Sequence, residues 1–255
     1  MDFNSEAIVL RNIKLNETDK IVHLFSPEYG LISAIAKGAF KLDSKLAAKT
    51  QVMNHCDFHF AKGRNLDIIK EGKIINQFKQ IKSDFDLTSY AYFFLDLVHQ
   101  TATIEEDHIA CFNLLGSSLN KLNKDSVNQE ELMTITANFL WELVDLLGYK
   151  PDLNHCTLTH KARKENQIPR FFALVNGGIT SGIGMKEFIE SYPDQQQIVP
   201  MPKEVFQILE SFELKQRIDG ISEKSLKSSI KLLQNHLEHK VTKDFKTKKQ
   251  LPVFN

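Results

Sequence analysis

Three clusters in this 255-residue chain have residue types and spacing that chemistry could use. Cys156 stands at the first position of a C-x-x-C pattern whose second position is Thr159, with His155 and His160 beside it and a Gly177-Gly178 pair downstream. That is the outline of a zinc ribbon. Structural zinc needs a closed tetrahedron of N or S donors, and Cys156, His155 and His160 supply three local candidates at most. The expectation is a metal-free loop held by its own packing through Ile168, Phe171, Phe172, Leu174 and Val175. Asp84-Phe85-Asp86 is a D-x-D that could hold magnesium in a nuclease, but it precedes a helical pattern, where an aspartate cap is the commoner reason. Glu105-Glu106-Asp107-His108 joins carboxylates to an imidazole, again at a helix start, where acidic groups complement the macrodipole. There is no G-x-x-x-x-G-K-[ST] and no G-x-S-x-G, so neither nucleotide hydrolysis nor a serine nucleophile is expected. The chain is read as a non-enzyme.

What remains is chemistry by contact. Binding a single nucleic-acid strand needs cations along the backbone path and flat side chains on which bases stack. The cations in the first third are Arg11, Lys37, Lys41, Lys45, Lys49, Lys62 and Arg64. Lys37, Lys41 and Lys45 recur at helical spacing and would project from one side of a helix. Arg64 lies in a Lys-Gly-Arg-Asn hairpin tip. The terminal stretch adds Lys240, Lys243, Lys246, Lys248 and Lys249 against one Asp244. Phe40, Tyr29, His23 and His59 are the stacking candidates. Phe25, Phe58 and Phe60 are assigned to the core, because strand alternation sends Phe58 and Phe60 to one face and His59 to the other.

The elements that must position these residues change character along the chain. The first eighty residues hold β-rich runs at 7–11, 20–25, 31–37, 51–60, 66–70 and 73–78, separated by turn material that includes Glu71-Gly72. Five or six short strands suggest a small barrel or sandwich. Residues 37–50 break the pattern and are either a short helix or a mobile loop. From about Asp84 the period becomes helical, with Tyr90, Phe94, Leu97 and Val98 on one face. Helices are expected at 107–122, from Ser126 to Leu147, at 202–216 and at 222–242. The second of these has a capping-box start at Ser126–Gln129, a stripe of Leu132, Ile135, Phe139, Leu143 and Leu146, and a C′ glycine at Gly148. Ser222 is the expected cap of the last helix.

Totals set outer bounds. Apolar residues make up 42% and charged residues 25%, the balance of a soluble globular protein. No apolar run is long enough to cross a bilayer, no signal peptide is read at the N-terminus, and three scattered cysteines suit a reducing cytoplasm. Net charge is zero but uneven. Residues 1–80 hold 12 Lys+Arg against 9 Asp+Glu, residues 81–150 hold 4 against 11, and residues 151–255 hold 16 against 12. A basic head, acidic middle and basic tail are compatible with a polyanion ligand.

The stretches "EAIVLRNIKLNETDKIVHLFSPEYGLISAIAKGAFK" (6–41), "LLGYKPDLNHC" (146–156) and "LLQNHLEHKVTKDFKTKKQL" (232–251) together resemble the bacterial RecO family of DNA repair proteins. The resemblance implies an α+β chain: an N-terminal OB-fold β-barrel at 1–80, then an all-α helical domain at 81–255 interrupted at 151–200 by a zinc-ribbon-like loop. It implies single-stranded DNA binding and strand annealing in DNA repair and homologous recombination, in the RecF pathway. It implies RecR and the C-terminal tail of single-stranded DNA-binding protein as partners, with RecA served indirectly and no membrane. At the positions of the family's four zinc cysteines this chain reads Cys156, Thr159, Ser181 and Gly184, so the loop is degenerate and no cofactor is expected. The resemblance favours Arg11, Lys37, Lys41, Lys45, Lys62, Arg64, Lys243 and Lys246 as DNA contacts. The alternatives are another OB-type binder of RNA or protein and a metal-dependent nuclease using Asp84 and Asp86.

Overall fold

Apolar residues alternate with polar ones in the first third of the chain, and the alternation becomes a barrel. The computed structural model describes residues 2–102, 107–180, 197–216 and 220–241, with Phe245, Thr247 and Leu251. Strands β1 (Asp2–Lys14), β2 (Lys20–Ser26), β3 (Gly30–Ala36), β4 (His55–Ala61) and β5 (Asp67–Asn76) close into one sheet in the order β1-β2-β3-β5-β4. All neighbours are antiparallel except β3 with β5. This five-stranded closed barrel is the OB-fold. Val9, Val22, Leu24, Ile32, Ala34, Phe58, Phe60 and Ile69 point inward and form its core.

β1 is long because it pairs twice. Residues 2–8 pair with β4 and residues 8–14 with β2, and a register shift between Val9 and Arg11 bends the strand around the corner. The expected turn at Glu71-Gly72 does not exist: both residues lie inside β5, so the runs 66–70 and 73–78 are one strand. Gly72 is there for closeness, not for turning. A Cβ at this position would meet Phe58 Cδ1 at 2.8 Å.

Packing divides the described chain into two compact units. The described residues of Met1–Val127 and Thr247–Leu251 form one, and those of Asn128–Lys246 the other. In the first, helices α1 (Lys79–Ser83), α2 (Phe85–Thr101) and α3 (His108–Leu122) follow the barrel; α2 packs on β1 and α3 on β2. A boundary by element type therefore falls near residue 80, whereas a boundary by packing falls at Val127.

The second unit is built on α4 (Gln129–Leu146), α5 (Lys203–Glu213) and α6 (Glu223–Val241), with α6 packed against both others. Leu226, Ile230, Leu233 and Leu237 are its buried stripe, and Ser222 Oγ accepts from Ser225 N at its start. The start of α4 differs from expectation. Asn128, not Ser126, is the cap, its side chain accepting from Glu131 N at 2.8 Å. At the other end Gly148 N reaches Asp145 O and Tyr149 N reaches Val144 O, the paired bonds of a Schellman motif. Between α4 and α5 lies a small sheet of β6 (Phe171–Ala173), β7 (Gly178–Thr180) and β8 (Ile198–Pro200), ordered β7-β6-β8. Phe172, Leu174 and Ile179 bury its apolar side; Ile168 and Val175, expected to help, are exposed. None of the described helices is long and apolar enough to cross a membrane.

Candidate nucleic-acid interface

The segment between β3 and β4, residues 37–54, carries the three lysines singled out by spacing. It is not a helix but a succession of turns. Its local backbone bonds are short-range and discontinuous, Lys41 N to Gly38 O and Ser44 N to Lys41 O in the first half and Thr50 N to Leu46 O, Gln51 N to Ala48 O and Asn54 N to Gln51 O in the second, and further groups bond outside the segment. Gly38, at φ +65°, donates its N–H to Asp19 Oδ1 at 2.7 Å, and Phe40 N donates to Thr18 O at 2.9 Å. These bonds stitch the segment to the β1–β2 turn. The Gly38 N–H is also the main reason the Asp19 carboxyl sits below its usual range; the Asn16 and Thr18 side chains and the Lys37 charge add to it.

The far end of the segment is fixed from inside. Thr50 O accepts from Asn12 Nδ2 at 2.8 Å and from Lys20 Nζ at 2.9 Å. Asn54 Oδ1 accepts from Lys82 Nζ. Ala39 and Leu46 fold inward and join the barrel core. With its backbone held at both ends and two apolar anchors sunk, the segment turns Lys37, Lys41 and Lys45 outward, and all three are exposed. None of them enters an ion pair among the described residues.

Strand register places other cations nearby. Lys14, Lys20 and Ala36 occupy one row across β1, β2 and β3, immediately before Lys37. Exposed Lys14 is therefore a neighbour that spacing along the sequence did not reveal. Lys20 was missed too, and its role differs: it is 5% exposed, and burial lowers the pKa of its ammonium. Arg11 is exposed on β1 opposite His23 on β2, which in turn faces Ser33 on β3. Burial first, and the Arg11 charge second, hold the His23 imidazole below its ordinary value. Lys62 follows β4 directly, with its Nζ 3.3 Å from Asp67 Oδ2 and 4.7 Å from the Phe3 ring centroid. Arg64 is exposed in the β4–β5 turn. That turn meets β5 at Asp67, which lies beside Ala34, three residues before Lys37. Lys243 and Lys246, with Lys248 and Lys249, lie outside the described residues.

The stacking candidates separate. Phe58 and Phe60 lie in the barrel core, as alternation required, whereas Phe25, on the strand face opposite Leu24, is buried beside His108 of α3. His59 is engaged by Asn4 Oδ1 at 2.6 Å and Asp2 at 3.3 Å, and His23 by Ser33 and the His99 ring. Tyr29 packs on Phe3 at 4.8 Å. Phe40 is half exposed, with Lys20 Nζ 5.7 Å from its ring centroid.

The clusters considered for catalysis are occupied structurally. Asp84 caps α2 by accepting from Leu87 N at 2.9 Å, and Asp107 caps α3 by accepting from Ala110 N at 2.9 Å. Glu105 and Glu106 lie outside the described residues. Among the described residues no three His, Cys, Asp or Glu side chains gather as a metal site. Cys156 is buried with Sγ 3.6 Å from Thr180 Oγ1, and His155 faces Asp152. With Thr159, Ser181 and Gly184 at the positions where the resemblance implied the other three zinc cysteines, the donor set does not fit a structural zinc. Ser181 and Gly184 lie outside the described residues.

Comparison with known proteins agrees with this architecture. The family described as "Recombination protein O N terminal" matches residues 1–78, and "Recombination protein O C terminal" matches residues 82–249. A protein named DNA repair protein RecO from Dehalococcoides mccartyi is 32% identical over 178 residues, covering 70% of this chain and 68% of the relative. Proteins of the same name from Bacillus mycoides and Alkaliphilus metalliredigens are 33% and 35% identical over 156 residues, which is 61% of this chain. The aligned part spans 61% and 62% of those two relatives' lengths. Matched along both of its parts, the chain belongs to the recombination protein O family.

Proposed function

We propose that this chain is a non-enzymatic mediator of DNA repair and recombination that binds single-stranded DNA by charge and anneals complementary strands without nucleotide hydrolysis. One observation carries the reading: Lys37, Lys41 and Lys45 stand exposed together on a segment whose two ends are bonded to a closed OB barrel. Three ammonium groups in that setting form a pre-positioned track for phosphates, and each phosphate neutralised releases counterions. Lys14, Arg11, Lys62 and Arg64 extend the track along the barrel. Annealing follows when two strands are screened on one protein surface, so that complementary bases meet with less repulsion.

Family membership supports the same reading, since the relatives are named DNA repair proteins. It also motivates RecR and the tail of single-stranded DNA-binding protein as partners, with RecA loaded indirectly. A groove of about 830 Å³ between α5 and α6 is lined by Val205, Ile208, Leu214 and Ile221 together with Glu204, Glu210 and Lys224, a mixed surface open to a peptide tail that carries both apolar and charged side chains. The direct test is annealing of complementary oligonucleotides with no nucleotide present, followed across a salt series. Acceleration that fades steeply with salt supports the proposal. Annealing no faster than the protein-free reaction refutes it.

A further inference from the structure

Between the phosphate-directed lysines the same segment exposes two apolar side chains. Phe40 is 50% exposed and Leu42 is fully exposed, and they flank Lys41. Single exposed apolar residues need no explanation. This pair differs in its setting. The backbone beneath it is fixed: Gly38 N is bonded to Asp19, Phe40 N to Thr18 O, and Ser44 N to Lys41 O. Its apolar anchoring is already supplied by Ala39 and Leu46, which lie in the core, so Phe40 and Leu42 are not needed to hold the segment down. Lys20 stands 5.7 Å from the Phe40 ring centroid, so the ring is braced by a nearly buried cation while half its surface remains open.

We propose that Phe40 and Leu42 form a base-contacting wedge, Phe40 stacking on a nucleobase and Leu42 inserting between neighbouring bases, so that the segment selects strands whose bases are free. This rests on the nucleic-acid reading above and adds the part of the ligand that the pair recognises. The charge pattern names the occupant. Lys37, Lys41 and Lys45 alternate with the apolar pair along one segment, and a single strand alternates in the same way between charged phosphates and apolar base faces. A base inside a duplex offers no open face to Phe40. Insertion of an aliphatic side chain between bases requires their unstacking, which costs least in a single strand.

The test compares an oligothymidylate with a strand of the same length in which tetrahydrofuran residues replace the nucleosides, using the full chain and fluorescence anisotropy across a salt series. The unmodified chain binds the base-bearing strand about tenfold more tightly. Phe40→Ala with Leu42→Ser removes that preference and leaves the salt slope unchanged. Leu42→Ser alone, at a site with no packing to lose, reduces it without shifting the melting temperature. A preference that survives in the double variant overturns the wedge and leaves the phosphate track standing. Absence of salt-dependent binding to either strand overturns the proposed function and the wedge together. Loss of binding to anionic lipid vesicles in the double variant, with its base preference intact, assigns the pair to a membrane surface and refutes the proposal.

Discussion

The ammonium of Lys20 donates to the carbonyl oxygen of Thr50 at 2.9 Å, joining the second strand of the barrel to the end of the segment that carries the exposed lysines. The bond is made from a position 5% exposed, and burial lowers the pKa of Lys20. A charge is kept in that environment because it holds a carbonyl that the turn leaves without a backbone partner. Lys20 is thus a positioning residue. Lys20→Met should lower stability by about 1.5–3 kcal/mol in urea unfolding. It should also weaken single-strand binding while leaving the salt slope intact, because Lys20 reaches no phosphate. A change in slope equal to the loss of one contact would place Lys20 on the DNA track instead.

Lys37, Lys41 and Lys45 should behave in the opposite way. Changing all three to Ala removes exposed charges that hold nothing in the fold, so the melting temperature should stay nearly constant. Single-strand affinity should fall, and the slope of log K against log salt should become shallower by about 2 if each lysine neutralises one phosphate. Equal slopes before and after would exclude this segment from the interface.

Much of this arrangement was legible in the sequence, for identifiable reasons. Alternation assigned Phe58 and Phe60 to the core and His59 to the outside because a strand has period two. Asp84 and Gly148 marked helix ends because caps are local chemistry. The misreadings share a cause as well. Lys37, Lys41 and Lys45 have helical spacing, yet Gly38 sits at φ +65°, outside helical backbone, and its N–H and that of Phe40 are held by Asp19 and Thr18 of the β1–β2 turn. Glu71-Gly72 has the composition of a turn, yet Gly72 lies mid-strand because the Phe58 ring needs the room. Asn128 took the cap expected at Ser126. In each case a partner distant in sequence, or a choice between adjacent cap residues, decided the outcome. The cluster of cations was half visible: Lys37, Lys41 and Lys45 from spacing, exposed Lys14 and the buried positioning residue Lys20 only from strand register.

The segment between α4 and α5 holds a single cysteine, Cys156, too few thiolates for the zinc ribbon that the resemblance implied. Buried Cys156 lies against Thr180 and His155 against Asp152, so the local donors already have neighbours. Purified protein should contain less than about one zinc per ten chains, and EDTA should leave its melting temperature unchanged. Stoichiometric zinc, with unfolding on chelation, would contradict this assignment.

His236 in α6 sets a pH dependence for the helical unit. It is fully buried, with Nε2 donating to Tyr149 O at 2.7 Å, Nδ1 3.3 Å from Leu174 O, and its ring edge-on to Phe172. Burial lowers its pKa most; the two carbonyls oppose that shift, while Lys240 and His239 reinforce it. The folded imidazole therefore resists protonation at a pH where the unfolded one, near 6.5, already accepts a proton. In that interval the unfolded state binds more protons, so stability is full above about pH 6.5 and declines as pH falls below it. His23 and His55 in the barrel unit are also lowered chiefly by burial and act in the same direction. The melting temperature should drop between about pH 7 and pH 5. His236→Gln keeps an amide that can donate toward Tyr149 O but cannot titrate. It should be less stable than the unmodified chain at neutral pH, and the gap should narrow on acidification. Parallel curves for the two proteins would show that His236 carries none of the pH dependence.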